Sequence, residues 1–241
     1  MKTATGIIPA RYQSSRFPGK ALAPILGKPM IQWVYEGASQ ARLIDRIIIA
    51  TEDERILKSA LGFGAEAVMT SARLRSGSER AAEVAQGLTN ELIINIQGDE
   101  PLVTGKMIDL LVEGLQGETI PMASLMAKVY DISVIHDDHI VKVVVDEKGE
   151  ALYFSRAPLP YKSPDFFYQH IGIYGYKKDF LFQFARMKPT RLERVEKLEQ
   201  LRALERGFKI KMIEIPFPTL SVDTPQDIIR VEKFLKKEKH G

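Results

Sequence analysis

The sequence predicts an α/β protein in which helices cover both faces of a mainly parallel sheet. The first observation is that strand-like segments alternate along the chain with amphipathic segments of helical length, as βαβ units do. The second is that two strand-like segments, Ile47-Ile48-Ile49 and Leu92-Ile93-Ile94, are continuous apolar runs. Strands of a parallel sheet read this way because they are buried on both faces.

Each element follows from its residue pattern. Short runs of apolar and β-branched residues predict strands, in chain order at 4–10, 46–50, 66–69, 92–97, 121–128, 140–146, 150–155, 169–176 and 208–215. Amphipathic segments predict helices at 29–41, 53–61, 77–87, 104–116, 177–186, 191–206 and 224–238. Capping residues and prolines favoured at helix starts lie at or beside four of these N-termini, at Pro29, Ser76, Thr104 and Pro225.

The alternation is interrupted between about residues 129 and 168. Two strand-like runs on either side of residues 147–150 predict a hairpin, and a proline-rich stretch follows. A two-stranded hairpin leaves a free edge that needs a cover. We therefore expect this segment to protrude from a single domain of residues 1–241 and to make a subunit contact.

Composition excludes several classes of protein. The 241 residues include no cysteine, so disulfides, thiolate metal sites and cysteine nucleophiles are excluded. No apolar run approaches the ~20 residues of a membrane span, and the first residues lack the layout of a signal peptide. We expect a cytoplasmic protein with no membrane partner.

The net charge of +3 gives little support to nucleic-acid binding. Residues 233–241 hold four lysines and one glutamate, so this lysine-rich tail carries the whole excess. The remainder of the chain is balanced, whereas nucleic-acid-binding domains usually present a basic face. We expect no nucleic-acid partner, although binding through the tail remains an alternative.

The loop after the first predicted strand is rich in cations. Residues 7–20 read IIPARYQSSRFPGK, and the loop holds Arg11, Arg16 and Lys20. An open α/β sheet binds its ligands where strands end, and guanidinium and ammonium groups suit a polyphosphate. The spacing matches neither a Walker A loop nor a dinucleotide fingerprint. A solvated basic turn is the alternative interpretation.

Two carboxylates follow other strand-like segments. Asp99 lies in NIQGDEP and Asp223 in VDTPQD. Mg²⁺ bound to a triphosphate usually takes one or two protein carboxylates, so this pair is a candidate metal site. The alternatives are a turn residue for Asp99 and a helix N-cap for Asp223.

Four further segments are candidates. Residues 76–80, SGSER, begin a predicted helix that could bind an anion or form a capping box. On a continuous helix over 191–206, Glu193, Glu196 and Gln200 would share one face, although from the residues alone a solvated charged helix is the better interpretation. His170 reads as a core histidine, and the polar stretch 136–139 reads as a turn more than as a metal site.

Together these segments resemble the 3-deoxy-manno-octulosonate (Kdo) cytidylyltransferase family, from about Ile7 to Phe234. The resemblance rests on the loop at 7–20 and on SGSER, NIQGDEP, VKVVVDEKGEALYFSRAPLPY, HIGIYGY, LEQLRALERG and VDTPQDI. It implies a Rossmann-like nucleotidyltransferase fold with a protruding β-rich dimerisation segment. It also implies transfer of CMP from CTP to the anomeric hydroxyl of Kdo, for lipopolysaccharide synthesis, with Mg²⁺ as cofactor.

The resemblance implies roles for individual residues. Those that hold the triphosphate are Arg11, Ser14, Arg16 and Lys20, with Arg16 and Lys20 also catalytic. Those near the rest of the nucleotide are Ser76, Gly77, Arg80 and Gln97. Asp99 and Asp223 bind the metal. Those that face the acid sugar are Arg156, His170, Glu196 and Gln200.

Three alternatives remain open at this stage. The same reaction on 8-amino-Kdo or on a sialic acid would use the same nucleotide site. A non-catalytic nucleotide-sugar sensor would bind CTP without turnover.

The family is usually homodimeric, so we expect a homodimer whose partners are otherwise CTP and an acid sugar.

Overall fold

The protein is described by a computed structural model over residues 4–13, 17–163 and 165–238. Its strands are β1 (Ala4–Ala10), β2 (Pro24–Ile25), β3 (Lys28–Pro29), β4 (Ile44–Thr51), β5 (Glu66–Met69), β6 (Leu92–Ile96), β7 (Met122–Val129), β8 (Lys142–Val145), β9 (Ala151–Ser155), β10 (Phe167–Lys177) and β11 (Ile210–Ile215). Its helices are α1 (Met30–Ala38), α2 (Glu54–Gly62), α3 (Gly77–Ala85), α4 (Gly105–Leu115), α5 (Lys178–Arg186), α6 (Arg191–Glu196), α7 (Leu201–Glu205) and α8 (Pro225–Glu238).

The strands form one large mixed sheet in the order β11-β7-β10-β6-β1-β4-β5. The pairs β6–β1, β1–β4, β4–β5 and β7–β11 are parallel, whereas β10 runs antiparallel between β6 and β7. Every residue of β1 and β6 is buried, because helices cover both faces. The predicted fold class, a mainly parallel mixed sheet flanked by helices, is confirmed.

Two hydrophobic layers hold the helices against the sheet. On one face α1, α2 and α4 pack through residues such as Ile31, Ile56 and Leu111. On the other face α3, α5 and α7 pack through residues such as Ala81 and Phe184. This three-layer arrangement leaves the strand ends accessible, which is where such sheets place their sites.

The helix starts agree with their sequence signals. The Ser76 side chain accepts a hydrogen bond from the Glu79 amide at the start of α3. Thr104 caps α4 in the same way, and α8 begins at Pro225. These caps satisfy amides that have no partner inside their own helix.

The predicted helix over 191–206 is wrong, because the chain forms α6 and α7 with a break between them. Lys197 has a left-handed backbone, φ 56° and ψ 43°, which a continuous helix does not contain. The Arg202 side chain folds back to bind Glu193, with Nη2 2.5 Å from Oε1, and is 4% exposed. A solvated charged helix is therefore also wrong for this segment.

The hairpin predicted within residues 129–168 is confirmed as β8 and β9, which pair antiparallel. The hairpin joins the large sheet through β8, which pairs with β10. Among the described strands β9 pairs with β8 alone, so it presents the free edge that the sequence predicted. A subunit contact there stays a prediction.

Candidate active site

The loop that follows β1 turns sharply before its lysine. Gly19 has φ 73°, a backbone conformation that favours glycine, and its amide donates to the Tyr12 carbonyl at 2.7 Å. A Cβ at this position would lie 3.2 Å from the Tyr12 ring. The turn leads into a short 3₁₀ helix at Lys20–Leu22, which aims Lys20 at the ends of the strands.

Lys20 lies between the two predicted metal carboxylates. Its Nζ is 2.6 Å from Asp99 Oδ2 and 3.4 Å from Asp223 Oδ1, and it donates to the Val222 carbonyl at 2.9 Å. Burial alone would lower the pKa of Lys20, but the two carboxylates outweigh it and the net shift is upward. The ammonium therefore stays charged, and the Asp223 carboxylate faces it.

A cleft of about 1130 Å³ opens at this edge of the sheet. It brings together residues that the sequence placed in four separate segments, namely Arg11, Lys20, Gly77, Arg80, Gln97, Asp99 and Asp223. The cleft lies beyond the carboxyl ends of β1 and β6, as expected for an open α/β sheet. Two predicted triphosphate ligands, Ser14 and Arg16, lie outside the described residues.

The start of α3 forms one wall of the cleft. A Cβ on Gly77 would lie 3.1 Å from Pro9 Cγ and 3.5 Å from Gln97 Oε1. The absence of a side chain there brings the helix backbone close to the cleft. Ser76 caps α3 by accepting a hydrogen bond from the Glu79 amide. The Glu79 carboxylate accepts from the Arg75 amide at 2.6 Å, so the serine cap is present without the reciprocal half of the predicted capping box, and it does not exclude a ligand.

Arg80 is held beneath this wall by a residue that the sequence reasoning missed. It is 1% exposed, its Nη2 lies 2.9 Å from Glu52 Oε2, and Nη1 donates to Thr70 Oγ1. Glu52 also accepts from the Tyr12 amide at 3.2 Å. Because Glu52 directly follows a strand, its position at a strand end was the signal that could have found it.

Glu100 is a second carboxyl that the sequence reasoning did not select. It is 6% exposed, and Thr219 Oγ1 donates to its Oε2 at 3.2 Å. Burial, followed by the neighbouring Asp99 charge, raises the pKa of Glu100 to about 8. Glu100 therefore carries a proton at neutral pH.

The residues expected to face the sugar lie in two groups, of which Arg156 and Glu196 form the first. Glu196 Oε2 accepts from the Arg156 amide at 3.0 Å, and Oε1 accepts from Ser155 Oγ at 2.8 Å. The Arg156 guanidinium donates to the carbonyls of Glu196 at 3.1 Å and Asp138 at 2.7 Å. The arginine is thereby fixed at the end of β9.

His170 and Gln200 form the second group. Gln200 Nε2 is 3.5 Å from His170 Nδ1, and Tyr174 donates to Gln200 Oε1 at 3.1 Å. His170 Nε2 lies 2.9 Å from Ser124 Oγ. Burial lowers the pKa of His170 to about 3, so the ring is neutral. Glu193 belongs to neither group, because it binds Arg202.

The stretch 136–139 ends in the turn that the sequence predicted. Possible ligand atoms of Asp137, Asp138 and His139 lie within 4.8 Å of one another. His139 Nδ1 is 3.9 Å from Asp223 Oδ2. Because Asp138 accepts from Arg156 and His139 lies beside Asp223, this turn lies between the proposed sugar residue and the proposed metal carboxylate.

Comparison with known proteins places the chain in a family. A cytidylyltransferase family model matches residues 5–212. The chain is 49% identical over 245 residues to the 3-deoxy-manno-octulosonate cytidylyltransferase of Syntrophotalea carbinolica, covering 96% of this chain and 98% of that protein. It is 46% identical over 248 residues to the protein of that name from Geobacter metallireducens, covering 97% and 98%.

A solved structure agrees with these sequence matches. The structure of CMP:2-keto-3-deoxy-manno-octonic acid synthetase complexed with CTP superimposes with a TM-score of 0.91. The two chains are 37% identical, and the match covers 98% of this chain and 99% of the other. This chain therefore belongs to the cytidylyltransferase family, within the group of 3-deoxy-manno-octulosonate cytidylyltransferases.

Proposed function

We propose that this protein transfers CMP from CTP to the anomeric hydroxyl of Kdo, giving CMP-Kdo and pyrophosphate for lipopolysaccharide synthesis. The sugar oxygen attacks the α-phosphorus, and the bond from that phosphorus to the pyrophosphate oxygen breaks. The observation that carries the proposal is the position of Lys20, between Asp99 and Asp223 in a cleft at the strand ends. The relatives named above support the choice of nucleotide and sugar.

The nucleotide would lie along the wall formed by β1 and α3. Arg11 and Lys20 face the cleft there, and we propose that they bind the triphosphate together with Ser14 and Arg16. The free amides of the first turn of α3 add partial positive charge. The groups proposed for the remainder of the nucleotide are Ser76, Gly77, Arg80 and Gln97.

The donor set in the cleft fits a magnesium ion. The Asp99 and Asp223 side chains are 30% and 26% exposed, and Mg²⁺ on a nucleotide prefers one or two carboxylates together with water. We propose these two residues as its protein ligands. When bound, Mg²⁺ supplies charge neutralisation at the phosphates and lowers the pKa of the attacking hydroxyl.

The acid sugar would bind on the side of β9 and β10. A guanidinium matches a carboxylate with two parallel hydrogen bonds, so Arg156 is proposed to bind the carboxylate of the sugar. Glu196 is proposed to accept hydrogen bonds from the sugar hydroxyls, and Gln200 is proposed to accept hydrogen bonds from them or to donate to them. His170 stays neutral and hydrogen-bonds Ser124, which suits a neutral contact rather than an ionic one.

Catalysis would rest on position and charge rather than on a covalent intermediate. Holding the two substrates in line converts a bimolecular reaction into an effectively unimolecular one. The Lys20 ammonium would offset the negative charge that grows on the α-phosphate and on the departing pyrophosphate. Arg156, fixed by two carbonyls, would keep the anomeric oxygen directed at the phosphorus.

The experiment that tests this function measures pyrophosphate release from CTP and Mg²⁺. Kdo, 8-amino-Kdo and N-acetylneuraminate are offered separately. We expect release with Kdo, whereas release with another acid alone would move the assignment to that sugar. CTP binding without release in all three reactions would favour the nucleotide-sugar sensor.

We also propose that the protein is a cytoplasmic homodimer. Leu152 in β9 is 57% exposed, and Tyr161, which follows β9 in the chain, is 85% exposed. Exposed large apolar residues of this kind suit a face that another subunit covers. Within the described residues, helices of the length and apolar character needed to span a membrane are absent. Light scattering of the purified protein should give twice the chain mass of 27.2 kDa, and a monomer at micromolar concentration would contradict the proposal.

A further inference from the structure

A hydrogen bond joins the nucleotide wall to the segment that carries the sugar residues. Ser78 Oγ donates to Glu199 Oε1 at 2.5 Å. Ser78 lies in the first turn of α3 and is fully buried, and its Oγ is 2.9 Å from that of the cap Ser76. The contact spans 121 positions of the chain. It therefore ties α3 directly to the break between α6 and α7.

The Ser78–Glu199 hydrogen bond, called the bridge below, holds the chain at Glu199, which lies between two predicted sugar ligands. Glu199 is preceded by Glu196 and followed directly by Gln200. Lys197, in its left-handed conformation, separates Glu196 from Glu199. With α6 only six residues long and α7 five, hydrogen bonding within these helices constrains the segment little. Its position depends on side-chain contacts.

Those contacts are charged and partly buried, with the Arg202 side chain 5% exposed and the Glu199 side chain 28% exposed. Arg202 Nη2 lies 3.4 Å from Glu199 Oε1 and 2.5 Å from Glu193 Oε1. Burial raises the pKa of Glu199, although its serine hydrogen bonds and Arg202 oppose the shift. When a partly buried carboxylate loses a hydrogen-bond donor, the free energy of the arrangement that holds it rises. The Ser78 hydroxyl therefore has a strong influence on where the segment lies.

We propose that the Ser78–Glu199 hydrogen bond couples the two substrate sites, so that nucleotide bound at α3 raises the affinity for the acid sugar and the sugar raises the affinity for nucleotide. Glu199 is then a positioning residue that acts through Glu196 and Gln200. This inference rests on the proposed function. Each substrate favours the arrangement in which the bridge is formed, and coupling of this kind is reciprocal.

The test measures CTP affinity by calorimetry with and without a saturating acid-sugar analogue that lacks the anomeric hydroxyl. Without that hydroxyl no transfer occurs, so the complex is stable. For the wild type we expect CTP to bind roughly 5- to 150-fold more tightly with the analogue present, the usual range of such coupling. The affinity of the analogue, measured with and without saturating CTP, should rise by the same ratio, which is the coupling factor.

Three variants and a control separate coupling from structure. In Ser78→Ala and Glu199→Ala the factor should fall close to one, while the affinity for CTP alone changes little. Glu199→Gln can still accept the serine hydrogen bond and should retain a larger factor than Glu199→Ala. The control is Glu205→Gln, because in the described part of the chain Glu205 binds α6 and the residue before it, as in its hydrogen bond from the Leu192 amide at 2.7 Å.

Several results would overturn the inference. An unchanged factor in a folded Ser78→Ala or Glu199→Ala protein would make the bridge purely structural. A wild-type factor of one, in a protein that releases pyrophosphate with an acid sugar, would refute coupling and leave the proposed function standing. CTP binding with no affinity for the analogue and no turnover would refute the function and this inference together.

Discussion

Lys20 Nζ lies 2.6 Å from Asp99 Oδ2, so the protein holds an ion pair where the nucleotide phosphates and a metal are proposed to bind. The lysine occupies one of the carboxylate oxygens that a cation would use. Binding of CTP and of the proposed Mg²⁺ would therefore redistribute this contact, with Lys20 interacting with the phosphates and Asp99 with the metal.

Lys20→Met should separate these two roles. Removing the ammonium removes a competing cation, so Mg²⁺ should bind the carboxylates more tightly in the absence of nucleotide. Turnover with CTP should nevertheless fall roughly 10²- to 10³-fold, the cost of losing one charge partner of a transition state. Calorimetry and pyrophosphate release measure the two effects, and near-wild-type turnover would contradict the proposed role.

Asp99→Asn and Asp223→Asn should each reduce turnover roughly 10²- to 10³-fold, because each removes charge from the proposed metal site. Their apparent affinity for Mg²⁺ in the steady-state reaction should fall as well. Asp179→Asn is the matched control, since Asp179 is exposed in the first turn of α5 at the opposite edge of the sheet. Equal losses in the control would make the effect nonspecific.

Arg156→Lys should raise the KM for the acid sugar about 10- to 100-fold and leave the KM for CTP unchanged, because lysine lacks the planar fork that pairs with a carboxylate. The substitution also removes the hydrogen bonds from the guanidinium to the carbonyls of Glu196 and Asp138. Arg186→Lys, at an exposed helix end, serves as the control. A change in the KM for CTP alone would place Arg156 at the nucleotide instead.

His170 predicts a loss of stability in acid. Because burial lowers its folded-state pKa to about 3, the unfolded chain binds a proton below pH 6.5 that the folded chain does not. Stability is therefore complete above pH 6.5 and is lost as the pH falls towards 3. Between pH 7 and 5 the wild type should lose about 2 kcal/mol more than His170→Gln in urea unfolding. Equal losses would contradict a buried neutral ring.

Gly77→Ala should weaken CTP binding about tenfold, because the added methyl group lies on the cleft wall, 3.1 Å from Pro9 Cγ and 3.5 Å from Gln97 Oε1, and keeps the amides at the start of α3 further from the nucleotide. The melting temperature should change little, since alanine favours the helix. Gly87→Ala, just beyond the other end of α3 where the added Cβ meets its nearest neighbour at 4.0 Å, should leave CTP affinity intact. A large fall in stability of the Gly77 variant would show packing damage instead.

The sequence predicted the layered fold because its signals are local. Continuous apolar runs at β4 and β6 and a serine cap at α3 each act within a few residues. Asp99 and Asp223 were selected because both follow strand-like segments and parallel strands end at one edge. The ion pairs that Lys20 forms with them were not predicted.

The failures lie where long-range contacts override local pattern. Periodicity over 191–206 favoured one helix, but the burial of Arg202 against Glu193 and the bond from Ser78 to Glu199 break it at Lys197. Glu100 and Ser124 were missed because each acquires its importance from a partner far along the chain, whereas Glu52 was missed although it directly follows a strand. Local periodicity contains no information about such partners.

The hydrogen bond from Lys20 to the Val222 carbonyl joins groups 202 positions apart, which affects when the enzyme becomes active during its synthesis. At about 5–20 residues per second, a ribosome needs about 10–40 s to pass from one to the other. Throughout that interval the emerging chain has its basic loop but lacks Asp223. With Asp223 as a proposed metal ligand, the proposed site of a nascent chain therefore stays incomplete until residue 223 has been synthesised.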